Sequence, residues 1–285
     1  MIDGNTLVVA HIGYPTSSFK APLIYNPWFE RKGINAVVVP MAVKAEDYAA
    51  VLPALARLTN FRGALVTMPH KVATVAMLDE ASTMVQIAGS CNALLKRPDG
   101  SLAGDMFDGV GFTRALARKG FRTRGARCLV VGAGGVGCAI VASLAAEGAG
   151  LIGLFDVDRD AAEGLAARVR AHHPGAAIRL ASNDPAGYDL VVNATPLGMK
   201  AGDPLPFDPA RVAPTTFVGE VVMKQEITPL LAAARARGCR FLVGTDMLYE
   251  MIPAYLEFFG FGTASPEELR AVSRVPHEAP AEAGA

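Results

Sequence analysis

The chain has no surplus of charge: 27 Lys and Arg stand against 27 Asp and Glu in 285 residues. A neutral balance without like-charged blocks offers little to nucleic acid or to an anionic membrane surface. Cysteine is scarce. Cys91, Cys128, Cys138 and Cys239 show no paired spacing, which argues against a disulfide framework and a metal site and leaves buried, reduced thiols. No apolar run is long enough to span a bilayer, and the opening MIDGNTLVVAHIG lacks the basic n-region of a signal peptide. A cytoplasmic location is therefore expected. Internal repeats are absent, and the only biased tract is the terminal PHEAPAEAGA, 276–285, which reads as a disordered tail. The chain does have apolar residues, 51% of the total, and length enough for two domains of ordinary size.

Strand and helix patterns alternate through most of the chain. Residues 7–12, 36–40 and 63–67 read as strands, with helices over 21–32, 44–58 and from Lys71 to about 78. Residues 93–104 read as a hairpin, and 105–111 as a polar turn before a helix at 112–119. From 111 to 243 the alternation continues, which implies a mostly parallel sheet with helices on both faces. His172-His173 should end a helix in solvent, with no further ligand at useful spacing for a metal. After Gly244 the pattern turns to helix alone, 246–259, followed by a short helix that Ser265 caps and Pro266 begins.

The densest signal is the unit from Arg127 to Asp156. A short apolar run (128–131) leads into Gly132-Ala133-Gly134-Gly135-Val136-Gly137, then a small-residue helix, then a second apolar run ending on Asp156. Gly132 permits a tight turn off the strand, Gly134 lets a pyrophosphate approach the backbone, and Gly137 lets helix and strand pack closely. The helix N-terminus offers free N–H groups and a positive dipole to phosphate. Asp156 stands where a carboxylate accepts hydrogen bonds from adenosine ribose hydroxyls. Strand, glycine turn, helix, strand and acid in that order point to a dinucleotide.

A dinucleotide here places the substrate in the crevice at the strand ends, lined by loops of the first half: 13–18, 67–71, 89–92 and 105–109. Lys71, at the start of a helix that directly follows a strand, meets an unfavourable dipole. It has the chemistry to take a hydroxyl proton as hydride leaves the same carbon, with Asp108 orienting it. The plain alternative is a surface lysine and a turn-forming aspartate.

The segments VTMPHK (66–71), GSCNALL (89–95), GDMFDGVGF (104–112), the glycine loop, NATPLGM (193–199) and GTDML (244–248) together resemble the shikimate/quinate dehydrogenase family, in order and over nearly the whole chain to about residue 262. The resemblance implies an N-terminal α/β substrate domain, a Rossmann doubly wound parallel sheet, and C-terminal helices that pack back on the first domain. The corresponding division is 1–110 plus 245–275 for substrate and 111–244 for NAD(P). The implied activity is reversible oxidation of a ring hydroxyl of a cyclic hydroxy acid with NADP or NAD. Lys71 and Asp108 fall on the catalytic pair, and Thr67 and Asn92 on substrate-binding positions. Asn193, Ala194, Thr195, Met199 and Gly244 fall in segments that border the cofactor.

The departures from the family pattern are polar to apolar. Phe19 and Ala21 stand where two serines hold the substrate carboxylate, with Ser17 and Ser18 nearby. Met251 replaces a glutamine that touches substrate hydroxyls, Met223 a tyrosine, and Met106-Phe107 an asparagine-threonine pair. A polar substrate group left without partners costs about 1–3 kcal/mol, so a less polar or differently substituted ring alcohol is expected. The Asn-Arg-Thr run of NADP-using members is here Asp156-Val157-Asp158. Two carboxylates repel a 2′-phosphate, so NAD is the expected cofactor, with NADP still possible. Asp158 also suits a helix N-cap. The alternatives are a conventional shikimate or quinate dehydrogenase and a nucleotide-binding regulator without turnover. The expected partner is the small-molecule substrate, with the protein a monomer or homodimer.

Overall fold

The computed structural model describes residues 2–275; the tail expected to be disordered, 276–285, lies outside them. The first half runs β1 (Leu7–Gly13), α1 (Pro22–Lys32), β2 (Ala36–Ala42), α2 (Tyr48–Ala56), β3 (Phe61–Val66), α3 (Lys71–Val75), β4 (Glu80–Ala81), α4 (Thr83–Ala88), β5 (Ala93–Lys96), β6 (Leu102–Asp105) and α5 (Asp108–Arg118). Its six strands form one mixed sheet in the order β2-β1-β3-β5-β6-β4. β2, β1 and β3 are parallel, and the β5–β6 hairpin turns the sheet antiparallel.

The second half runs β7 (Arg127–Val131), α6 (Gly135–Ala146), β8 (Leu151–Phe155), α7 (Arg159–His172), β9 (Ile178–Leu180), β10 (Leu190–Asn193), a 3-10 turn at Pro209–Arg211, β11 (Phe217–Glu220), α8 (Pro229–Ala236) and β12 (Phe241–Leu242). The strand order β12-β11-β10-β7-β8-β9 is parallel throughout. β7 and β10 are apolar on both faces because helices cover both: Cys128 and Val130 pack with α6 and α7, Leu129 and Val191 with α8. The order reverses between β7 and β10, which opens a crevice at their carboxyl ends.

Two last helices, α9 (Gly244–Phe259) and α10 (Pro266–Val272), carry the chain back to the first sheet. Ile252, Tyr255, Leu256 and Phe259 of α9 share a buried cluster with Ile24, Trp28 and Phe29 of α1. Ser265 and Glu268 close a capping box on α10, and Lys32–Glu268 and Arg274–Glu30 pair across at 3.1 Å.

Several elements depart from the sequence reading. β4, α4 and β9 are too short to show a period. The helix expected over 44–58 occupies only Tyr48–Ala56, and the one expected to reach 78 ends at Val75. The largest difference is at 105–111: α5 already begins at Asp108. Gly109 and Gly111 are helical, and they are small because α5 is pressed between two other helices. A Cβ on Gly109 would lie 2.0 Å from the Ala139 carbonyl of α6, and one on Gly111 would lie 2.7 Å from the Met247 carbonyl of α9. These glycines mark close helix packing rather than a turn. His172 ends α7 exposed, whereas His173 is partly buried with its Nε2 enclosed.

Candidate active site

β3 delivers the chain to Thr67, and α3 then starts at Lys71 under firm local restraint. His70, the residue before the helix, is buried, hydrogen-bonds through Nε2 to the Val43 carbonyl at 2.7 Å, and stacks on Tyr48 with centroids 4.0 Å apart. The Tyr48 hydroxyl meets Thr74 Oγ1 at 2.7 Å. The Lys71 carbonyl accepts from Cys91 N at 2.8 Å. With its backbone held, Lys71 extends Nζ to Asp108 Oδ2 at 2.6 Å. The lysine side chain is 16% exposed and the aspartate 5%, so the pair is largely withdrawn from solvent.

Asp108 is fixed from the other side by Asn92. Asn92 Nδ2 donates to Asp108 Oδ1 at 2.9 Å, and its Oδ1 accepts from Phe107 N at 2.9 Å. Asn92 is 1% exposed, and Tyr255 of α9 donates its hydroxyl proton to the Asn92 carbonyl at 3.3 Å. The structure thus joins Lys71, Asp108 and Asn92 in one hydrogen-bonded chain, with Asn92 beneath the carboxylate. Burial holds the Tyr255 phenol well above its usual range, with Asp108 adding to it, so this hydroxyl stays a donor.

Thr67 turns its methyl to Gly13, where Phe19 and the Met68 carbonyl also converge. The Phe19 ring stacks on His11 at 3.9 Å. Ser17 and Ser18 are exposed on the loop and Ala21 is buried before α1. Met251 packs its Cβ toward Gly111, and Met223 touches both the α1–α9 cluster and the α6 cluster. Met106 and Phe107 belong to the core; Phe107 packs edge-on against Tyr255 and Phe258 at 5.0 and 5.5 Å.

Across the cleft stands the glycine loop. Gly132 takes φ +113° with Ala194 close above it, and Gly137 packs on the Gly132 carbonyl, where a Cβ would lie at 2.1 Å. Gly134, which precedes the twelve-residue α6, faces open space. A cavity of about 460 Å³ is lined by Ala133, Gly134 and Gly135 from this side and by Val72, Gly89 and Ser90 from the other. Asp156 accepts from Ala133 N at 2.5 Å and from Asp158 N at 2.8 Å. A carboxylate has about four acceptor sites, so capacity remains for ribose hydroxyls. Open space over Gly134, the α6 N-terminus and this carboxylate fit a dinucleotide.

Asp158 caps α7, accepting from Ala161 N at 3.1 Å, while Val157 is 94% exposed. Arg159 turns away to Glu163 at 2.7 Å. At the carboxyl end of β10, Asn193 spends its whole side chain on the loop that follows and on Glu220 of β11. Nδ2 donates to the Leu197 carbonyl and Glu220, and Oδ1 accepts from Thr195 N and Oγ1. Glu220, fully buried and also bonded to Thr228, has its carboxyl raised by burial. Gly244 begins α9 where a Cβ would lie 2.2 Å from the Val222 carbonyl, and Met199 is 38% exposed. Glu220, His70 and His11 gave no sequence signal, since a single polar residue in an apolar stretch carries no period.

Among the described residues no group of three His, Cys, Asp or Glu is placed to hold a metal ion, and no helix is long and apolar enough to cross a membrane. All four cysteines are free and buried, and burial pushes the Cys91 thiol up to about 12.

Residues 11–94 match the family described as the shikimate dehydrogenase substrate binding domain. The chain is 37% identical over 262 residues to a shikimate dehydrogenase (NADP(+)) of Acidiphilium cryptum, covering 91% of this chain and 93% of that one. Its fold is similar to shikimate 5-dehydrogenase of Listeria monocytogenes in complex with shikimate and NAD, with TM-score 0.88, 26% identity, and 95% and 97% of the two chains covered. It is also similar to a 5-ketofructose reductase of a Gluconobacter strain, with TM-score 0.84, 25% identity, and 94% and 97% covered.

Proposed function

The chain belongs to the shikimate dehydrogenase family, NAD(P)-dependent oxidoreductases, and from that premise we propose that it oxidises and reduces one ring hydroxyl of a cyclic alcohol, prefers NAD, and does not take shikimate as its best substrate. The observation that carries the reading is the largely buried Lys71–Asp108 pair at 2.6 Å, held by Asn92. In this reading residues 1–110 with 245–275 bind substrate and 111–244 bind the dinucleotide.

When bound, the nicotinamide supplies the hydride acceptor or donor. Lys71 Nζ, as the neutral amine, takes the hydroxyl proton in the oxidative direction, and as the ammonium gives it to the carbonyl oxygen in reduction. Asp108 fixes Nζ, and Asn92 fixes Asp108, so the proton acceptor does not wander. Ala133, Gly134 and the α6 N-terminus would receive the pyrophosphate and Asp156 the adenosine ribose.

NAD preference is supported by the segment after β8: Asp156 and Asp158 put two carboxylates there, and Arg159 is already paired with Glu163. An altered substrate is supported by Phe19, which fills the first loop with a ring stacked on His11. A similar structure named for 5-ketofructose, a keto sugar, fits a family site that is not confined to shikimate. The second reading, an NADP-dependent dehydrogenase of shikimate itself, is favoured by the 37% identical relative of that name.

Steady-state kinetics on shikimate, quinate and uncharged ring alcohols with each cofactor separate the two. The proposal expects NAD to exceed NADP in kcat/KM and shikimate to be a poor substrate. Efficient NADP-linked turnover of shikimate would establish the second reading instead.

A further inference from the structure

Lys71 and Asp108 account for the proton but not for how a substrate is chosen, and two neighbours in the same wall have no part in that chemistry. His11 is near the carboxyl end of β1. Alternate strand residues face opposite sides: Ala10 and Ile12 join the cluster under α2, whereas Val9 joins the cluster of α1 and α9. His11 therefore shares the face of Val9, pairs in register with Leu65 of β3, and lies just below Thr67. Its imidazole is close enough to Lys71 for that charge to add to burial, which together bring its pKa down to about 4. At neutral pH the ring carries no charge.

The Nδ1 atom of this ring is buried and has no hydrogen-bond partner among the described residues. Buried polar atoms are nearly always satisfied, and here the flanking contact is apolar: Phe19 lies flat against the ring, 3.9 Å between centroids and 24° between planes. Charge balance limits what can bind beside this ring. The Lys71 charge is matched by Asp108 at 2.6 Å, and His11 is neutral. A buried carboxylate needs a cation or several donors of its own.

We infer that His11 binds the substrate directly, hydrogen-bonding one of its hydroxyl or carbonyl oxygens while Phe19 covers an apolar ring face, so that these two side chains select an uncharged cyclic polyol or its ketone over a ring carboxylate. This rests on the reading that Lys71 and Asp108 act on a ring hydroxyl. It adds the substrate class and the residue that selects it.

The test compares wild type, His11→Leu and His11→Gln with NAD on two panels. The uncharged panel is myo-inositol, trans-cyclohexane-1,2-diol and fructose; the carboxylate panel is shikimate and quinate. Wild type is expected to turn over at least one uncharged compound with kcat/KM about tenfold or more above both carboxylates. His11→Leu should raise KM for that compound about tenfold, the order of one lost hydrogen bond, and move kcat much less. His11→Gln, which keeps a neutral donor and acceptor, should restore KM. Preference for a carboxylate, or a KM unmoved in His11→Leu, overturns the inference and leaves the dehydrogenase reading standing. Absence of turnover on both panels, with NAD binding intact by fluorescence titration, overturns the dehydrogenase reading and the inference with it. The wild-type comparison decides the substrate class even where a variant does not fold.

Discussion

Asp108 receives one hydrogen bond from a charged donor, Lys71, and one from a neutral donor, Asn92, and the two fail differently. Lys71→Met removes the group that gives the proton in reduction and, once deprotonated, takes it in oxidation. Its kcat should fall roughly 10³-fold, within the range of general acid–base contributions, with KM for NAD unchanged in initial-rate assays. Asn92→Leu leaves the acceptor in place but frees the carboxylate that orients it and strands the Phe107 N–H. That variant should lose about 1–3 kcal/mol of stability, read from urea unfolding, as well as kcat. At the loop, Phe19→Ser with Ala21→Ser removes the ring stacked on His11 and supplies two hydroxyls. The double variant should gain kcat/KM for shikimate relative to wild type, and no gain would show that the loop does not set substrate choice.

At the level of elements, the β8–α7 junction and the end of β11 are most open to test. Val157 is almost fully exposed, so an arginine fits there without disturbing the core. Asp158 caps α7, and threonine retains a capping oxygen. The triple change Asp156→Asn, Val157→Arg and Asp158→Thr should therefore keep the fold and move the kcat/KM ratio toward NADP by about 100-fold, on the order of two charge-assisted contacts. An unchanged ratio would place cofactor choice elsewhere. At the end of β11, Glu220 ties Asn193 to Thr228. Glu220→Ala leaves both without that partner and should cost about 2–4 kcal/mol. It should also raise KM for the dinucleotide, because the loop from Thr195 to Met199 loses its anchor.

Across the whole molecule, α5 and α9 cross between the two sheets. Ion pairs tie α5, α9 and α10 together: Arg118 joins Glu250 of α9 and Glu267 of α10, and Lys119 and Arg270 meet Asp246 at 2.7 and 3.2 Å. Global stability should carry the signature of His11. Its folded pKa, about 4, lies below the ordinary histidine value of 6.5, so the unfolded chain binds the extra proton between those values. Stability is thus lost as pH falls from about 6.5 to about 4, by on the order of 3 kcal/mol. Melting curves of wild type and His11→Leu across that window should diverge, with the leucine variant keeping more of its Tm at the acid end. Parallel curves would mean that His11 is freely solvated.

The sequence by itself determined the parallel sheet and its glycine turn, because strand period, the positive φ at Gly132 and the close packing at Gly137 are local demands that few other residues meet. It also placed Lys71 after β3 and Asp156 after β8, since order along the chain fixes what stands at the end of a strand. Contacts between distant segments were decided only by the tertiary structure. Asp108 looked like a turn residue because Gly109 and Gly111 follow it, yet those glycines let α6 and α9 approach α5. Asn92 became a support for Asp108, Asn193 was committed to Glu220, and His11 was turned against Phe19 beside Lys71. Each is a short-range polar or aromatic contact between residues far apart in sequence, or set by the face of a strand, and a hydrogen bond or a ring stack leaves no period in the chain from which to read it.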